Sequence, residues 1–184
     1  MNENDEIYTV IRSFLAADIA KEIENQANSI SAETIFKKAK DATSLYPDED
    51  LIKMITDPLR ASRYTDYIWH LQEIKLIDMG AWLGHKHATG DLQKEWCRGS
   101  VVDTAREVAK HIEMELRSIK KLKSMISIIN TILDYFPPIL VPGGTIRTAD
   151  DIKHLPFDVD DGSHRCIAAA LSGKTTIKAY VGMK

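Results

Sequence analysis

Apolar residues recur at helical spacing through the first two thirds of the chain, then change to short continuous runs. Ile7, Val10, Ile11, Phe14, Leu15 and Ile23 keep a helical period until the polar stretch 25–29 interrupts it. Ser31 stands where an N-cap belongs, ahead of Ile35, Phe36 and Ala39. Pro47 and Asp48 open a short third helix through Ile52 and Ile55, which Pro58 closes. Tyr64, Tyr67, Ile68, Leu71 and Ile74 predict a fourth helix ending near Gly80. Gly80, Gly84, Gly90 and Gly99 mark the stretch 80–99 as an irregular connection. No internal repeat or low-complexity tract is present.

Residues 101–136 contain neither Gly nor Pro. Their apolar positions, from Val101, Ala105, Val108, Ile112 and Leu116 to Ile119, Leu122, Ile126, Ile129, Leu133 and Phe136, step by threes and fours. This is the pattern of one long amphipathic helix, unbroken or broken once near Lys120. Ser100 and Asp103 resemble a capping box with Asp in place of Glu. Unbroken, the helix would be about 54 Å long. That length suits a bridge between two domains or a pairing with a second copy, so a homodimer with Ile112 and Leu116 near its interface is expected.

Pro137-Pro138 ends the helix. Ile139-Leu140-Val141 suits a buried strand, Pro142-Gly143-Gly144 a turn and Phe157-Asp158-Val159 a second strand. Residues 166–171 read as a helix stopped by Gly173, and 175–181 as a closing strand. The expected fold is α+β, in three parts: a helical region over 1–99, a connecting helix over 100–136 and a small mixed-sheet module over 137–184.

Composition narrows the class. The 184 residues are 44% apolar and 28% charged, enough for one ordinary core. No apolar run approaches the roughly 18 residues of a membrane span, and the acidic start has neither the basic flank nor the apolar stretch of a leader. A cytoplasmic location is therefore expected, with Cys97 and Cys166 as free thiols. A net charge of −3 argues against a dedicated nucleic-acid binder. The charge is unevenly spread: residues 1–100 carry 12 Lys/Arg against 17 Asp/Glu, whereas 101–184 carry 12 against 10. Arg117, Lys120, Lys121 and Lys123 form the densest basic cluster, which also fits a solvated helix face.

The candidate chemistry lies at Asp161-Gly162-Ser163-His164-Arg165. A strand, a glycine turn and a helix together bind phosphate, because the first amides of a helix lack internal partners and its dipole favours an anion. Gly162 allows close approach of backbone, Ser163 adds a hydroxyl, Arg165 a charged fork, and His164 a group able to donate near neutral pH. Ala168, Ala169 and Ala170 allow tight packing on a sheet. The same residues also fit a plain Asp-Gly turn with Ser163 as an N-cap.

The proline-led strand at 137–141, the spacer, the string from Asp161 to Ala169 and the final strand resemble the ParB/sulfiredoxin superfamily over roughly residues 117–184. In that family the turn and its helix grip a nucleotide phosphate. The resemblance extends to Lys121 and Ser124, which stand where sulfiredoxin-like members hold phosphates. A further family hydroxyl falls on Ile128, with Ser127 adjacent. A sulfiredoxin needs a cysteine after the motif glycine, and here that residue is Ser163. Cys166 follows the arginine on the helix, where burial is expected. A chromosome-partitioning clamp needs a further helical domain after this module. The resemblance therefore implies a small stand-alone member: a nucleotide-binding phosphohydrolase, an ATPase or nuclease, acting on ATP or another nucleotide. The alternative is a non-catalytic module that contacts a protein or DNA partner. Lys121, Ser124, Gly162, Ser163, His164 and Arg165 are the expected phosphate ligands, and Asp161, His164 and Arg165 the catalytic groups. Asp158 and Asp160 share one strand face beside them and are candidate Mg²⁺ ligands.

Other patterns carry less. His85 and His87 with Cys97 lack the second pair a zinc site needs. Trp69, Trp82 and Trp96 fit core or interface positions. None of the early helices has the basic face of a DNA-recognition helix.

Overall fold

The computed structural model describes residues 3–26, 30–81 and 91–184. Over these residues the architecture is α+β, with eight α-helices around one five-stranded mixed sheet. His85, His87 and Trp82 lie outside the described residues. Helices α1 (Glu3–Gln26) and α2 (Ala32–Ser44) pack together, and the Ser31 hydroxyl accepts the Thr34 amide at 3.3 Å, as its cap position predicts. Helix α3 (Asp48–Leu51) continues into a 3-10 turn, Ile52–Met54. Pro58 opens α4 (Pro58–Asp66) rather than closing the helix before it. Asp57 is the cap, accepting the Leu59 and Arg60 amides, and a proline at the first helical position forfeits no hydrogen bond.

The expected fourth helix stops at Asp66. Beyond it, β1 (Ile68–Lys75) pairs antiparallel along its whole length with β5 (Thr176–Met183). Ile68, Leu71 and Ile74 happen to fall at helical spacing. Trp69, buried at 1% exposure beneath α1 with its indole N–H donating to the Tyr64 carbonyl at 2.9 Å, anchors the strand instead. In an eight-residue run the ladder outweighs the local period. Strands β2 (Met79–Gly80), β3 (Ile139–Pro142) and β4 (Phe157–Asp161) complete the sheet in the order β1-β5-β3-β4-β2. The β3–β5 and β2–β4 contacts are parallel and β3–β4 is antiparallel. β1 and β2, from the stretch before residue 99, thus share one sheet with the strands after it.

The single long helix over 100–136 is also corrected. It is three helices, α5 (Val101–Lys110), α6 (Arg117–Ile126) and α7 (Ile129–Tyr135). Ser100 and Asp103 do form the capping box. His111 then leaves the helical region (φ −118°, ψ 21°), the Met114 amide turns back onto its carbonyl, and Leu116 is extended (φ −72°, ψ 140°). The start of α6 is held from outside, where Asp91 accepts the Arg117 amide at 2.6 Å and the Ser118 amide at 2.8 Å. A second break falls at Ile128 (φ −124°, ψ 17°). The breaks let one apolar stripe wrap around α8 (Ser163–Leu171), which a straight rod could not do. Val101, Val108, Ile119, Leu122, Ile129 and Leu133 all reach one core with Cys166, Ile167, Ala168 and Ala169, and Ile112 and Leu116 pack at its edge. Among the described residues the chain thus buries much of this stripe in its own core, with Ile112 and Leu116 only partly covered.

The sheet thus lies between two helical layers. Ile139 and Val141 face Val10, Ile11, Phe14 and Leu15 of α1, while Leu140 faces the α8 side. All three are fully buried, as a strand covered on both faces requires.

Candidate functional site

Gly162 sits at φ +96°, a left-handed conformation that turns β4 directly into α8. It supplies no side-chain cap, and the first helical bond is from the Cys166 amide to its carbonyl at 2.9 Å. The amides of His164 and Arg165 therefore have no acceptor within the helix. They stand at one end of a cavity of about 400 Å³ between α8, α6, α7 and the N-terminal helices.

The residues named as phosphate ligands all line this cavity: Lys121 and Ser124 from α6, and Gly162, Ser163, His164 and Arg165 from the corner. The Ser124 hydroxyl donates to the Lys121 carbonyl at 2.8 Å, so its lone pairs rather than its proton are open. Among the described residues Lys121 makes no ion pair within 4 Å. Burial first, and then the neighbouring Lys21, lower its pKa. His164 Nε2 is sealed from solvent and has no hydrogen-bond partner. Burial, reinforced by Lys121 and Lys21, depresses its pKa to about 4, so the ring is neutral at pH 7.

The Arg165 guanidinium is buried, ion-paired with Asp161 and donating to the Phe136 carbonyl at 2.8 Å. A Cβ on residue 162 would lie 2.8 Å from that guanidinium, so glycine is needed for the pair as well as for the turn. Burial raises the Asp161 pKa, but Arg165, with Lys21 and Arg60 beyond, outweighs it and holds the carboxyl below its ordinary value. Cys166 is fully buried, and burial pushes its thiol up to about 12, an inert group.

The two aspartates named as Mg²⁺ ligands are engaged elsewhere. Asp158 does not line the cavity; it accepts the Ile146 and Arg147 amides at 2.9 and 3.0 Å and fastens the loop after β3. Asp160 accepts from Arg60 Nε at 2.9 Å, Arg63 at 2.7 Å and the Tyr64 hydroxyl at 2.8 Å. With separate sets of donors, the two carboxylates do not converge on one point. Among the described residues no group of three His, Cys, Asp or Glu is placed to hold a metal. This arrangement does not fit a Mg²⁺ site built on Asp158 and Asp160.

Sequence reasoning missed Lys21, Phe36, Arg60 and Phe136, which come from four other elements of the wall. Only Arg60, Arg63 and Tyr64 left a trace: their spacing puts three donors on one turn of helix, the face that holds Asp160. Phe36 and Phe136 meet edge to face at 5.1 Å. Trp96 stacks on His111 at 4.7 Å, away from the cavity. No family model, no curated protein and no solved structure matches this chain, so the resemblance to the ParB/sulfiredoxin superfamily rests on the chain's own residues.

Proposed function

We propose that this chain binds a nucleotide through its phosphates at the start of α8 and hydrolyses a phosphoanhydride or phosphodiester bond in it, as a small member of the ParB/sulfiredoxin type. One observation carries the reading. Six residues from two distant stretches, Lys121 with Ser124 and the run from Gly162 to Arg165, line a single cavity, and among them His164 keeps a buried, unpartnered imidazole nitrogen. The α8 amides and Lys121 would hold phosphoryl oxygens and stabilise charge that grows on them in the transition state. Water attacks phosphorus, the bond to the leaving oxygen breaks, and that oxygen departs with the charge. The water's proton passes to a phosphoryl oxygen, with the neutral His164 ring beside it at the start of α8. Arg165 acts by position, holding Asp161 and the Phe136 backbone at the cavity's edge.

A second reading, a non-catalytic module for a protein or DNA partner, is favoured by a different observation: Asp158, Asp160 and Asp161 are all held by protein donors. Thermal shift with ATP and other nucleoside triphosphates, paired with a phosphate-release assay, separates the two. A stabilising shift lost in Lys121→Met, with phosphate released, supports the hydrolase. A shift without release removes the hydrolysis but keeps the nucleotide site, and neither shift nor release, with a protein or DNA partner still bound, supports the binding module.

A further inference from the structure

Among the described residues β1 is paired on one side only: it ends the sheet, with β5 as its neighbour. The ladder fixes which of its backbone groups are free. The Leu76 amide donates to the Thr175 carbonyl at 2.9 Å, so this pair, one step beyond Lys75 and Thr176, is a hydrogen-bonded one. Bonded and non-bonded pairs alternate along an antiparallel ladder. Ile74, Gln72, His70 and Ile68 therefore turn their amides and carbonyls to β5, whereas Trp69, Leu71, Glu73 and Lys75 turn theirs outward. Tyr180, the partner of Leu71, agrees: its amide donates away from β1, to the Pro138 carbonyl at 2.8 Å.

Such an edge invites another strand unless a proline, a bulge or an inward charge blunts it. β1 contains no proline or glycine and has no register shift along its eight residues. Glu6 of α1 comes within 3.6 Å of His70 Nδ1, but Leu71, Gln72 and Glu73 are exposed in succession, so neither helical layer overhangs the middle of the strand. Leu71 is 51% exposed and Ile68 45%.

The strand also matches itself. Its outward groups bond to a second copy only when odd positions face odd, and opposed residues then share a face of the sheet. With Leu71 opposite Leu71 of the second copy, Ile68 falls opposite Ile74, His70 opposite Gln72 and Trp69 opposite Glu73. Apolar side chains meet at the exposed positions. The two Glu73 carboxylates stand four residues apart, roughly 14 Å along the strands. Moving the centre to Glu73 would oppose these like charges, and moving it to Gln72 would set Glu73 against the exposed Leu71. We infer that two copies of this chain pair through β1, antiparallel about Leu71, joining their five-stranded sheets into one. This surface is distinct from the helical stripe over 101–136 and from the cavity at α8.

Light scattering on the full chain should give a dimer at tens of micromolar. Leu71→Pro removes an outward amide and leaves the bonds to β5 in place, so it should weaken dimerisation about tenfold or more, with the fold checked by circular dichroism. Should that variant not fold, Leu71→Arg keeps every backbone donor, sets two cations against each other at the axis and should have the same effect. A third variant reads the register. Residues opposed in a bonded pair have Cα atoms about 5.5 Å apart, inside the roughly 4.4–6.8 Å range of disulfides. Leu71→Cys should therefore cross-link between copies with oxidised glutathione, at least about tenfold faster than Gln72→Cys, which lies off the axis. The native Cys97 and Cys166 are buried and do not compete. A monomeric wild type would overturn the inference, even one that captures a foreign extended peptide at this edge. A dimer that persists in Leu71→Arg would overturn it too, as would cross-linking of Gln72→Cys as fast as that of Leu71→Cys.

Discussion

His164 is the residue whose surroundings are most at odds with its ordinary chemistry. Its folded pKa, about 4, lies below the unfolded 6.5, so unfolding takes up a proton between those values. Stability is therefore full above pH 6.5, falls as pH falls through that window and levels off below about 4. The span amounts to roughly 3 kcal/mol at about 1.4 kcal/mol per pH unit. Asp161 is held below its ordinary 3.8 and begins to lose its contribution only near and below that value. Urea unfolding of wild type and His164→Gln from pH 4.5 to 7 checks this, and parallel slopes for the two proteins would refute it. Arg165 and Asp161 make a second prediction. Removing the guanidinium leaves a buried carboxylate unpaired, so Arg165→Ala should destabilise by about 3–5 kcal/mol. The double variant with Asp161→Ala should be more stable than the sum of the singles by about 1–3 kcal/mol. Additive losses would mean that the two side chains do not act as a pair.

At the scale of elements, two termini decide the site's shape. Gly162→Ala puts a β-carbon at φ +96° and 2.8 Å from the Arg165 guanidinium. A non-glycine residue in that region costs roughly 1–2 kcal/mol before any clash is counted, so the loss of stability should exceed about 2 kcal/mol. Chemical denaturation decides, and a loss near zero would mean that the turn can relax. Asp91 is the outside cap of α6. Asp91→Ala leaves the Arg117 and Ser118 amides without their acceptor and should cost about 1 kcal/mol, with faster amide exchange at those two positions. Unchanged exchange there would show that α6 starts without its help. The sequence revealed the Ser100–Asp103 cap because both partners lie within one turn. It concealed the Asp91 cap because the partners lie 26 and 27 residues apart.

For the whole molecule, the sheet is the organising fact. Its edge strand β1 and the covering helix α1 come from the N-terminal half, and Asp160 is tied to α4 by three donors. A fragment of residues 137–184 lacks the partner of β5 and the layer over Ile139 and Val141. It should stay unfolded by circular dichroism and amide dispersion, whereas a folded fragment would show that the module is autonomous.

The sequence alone determined the local events at the corner between β4 and α8: the strand before Gly162, the glycine turn and the helix stopped by Gly173 (φ +85°). These depend on dihedral limits and apolar runs, which are written in neighbouring residues. The mixed α+β class followed from the change between helical and strand patterns. Tertiary structure alone decided that residues 68–75 are a strand, that the stripe over 101–136 folds in three, and that the Arg165 guanidinium is buried against Asp161 and Phe136. Each depends on a group distant in sequence: β5 for the strand, Asp91 and α8 for the stripe, and Phe136 for the guanidinium. A contact whose partner is many residues away leaves no period or spacing to read, and packing determines which of two locally acceptable conformations is the stable one.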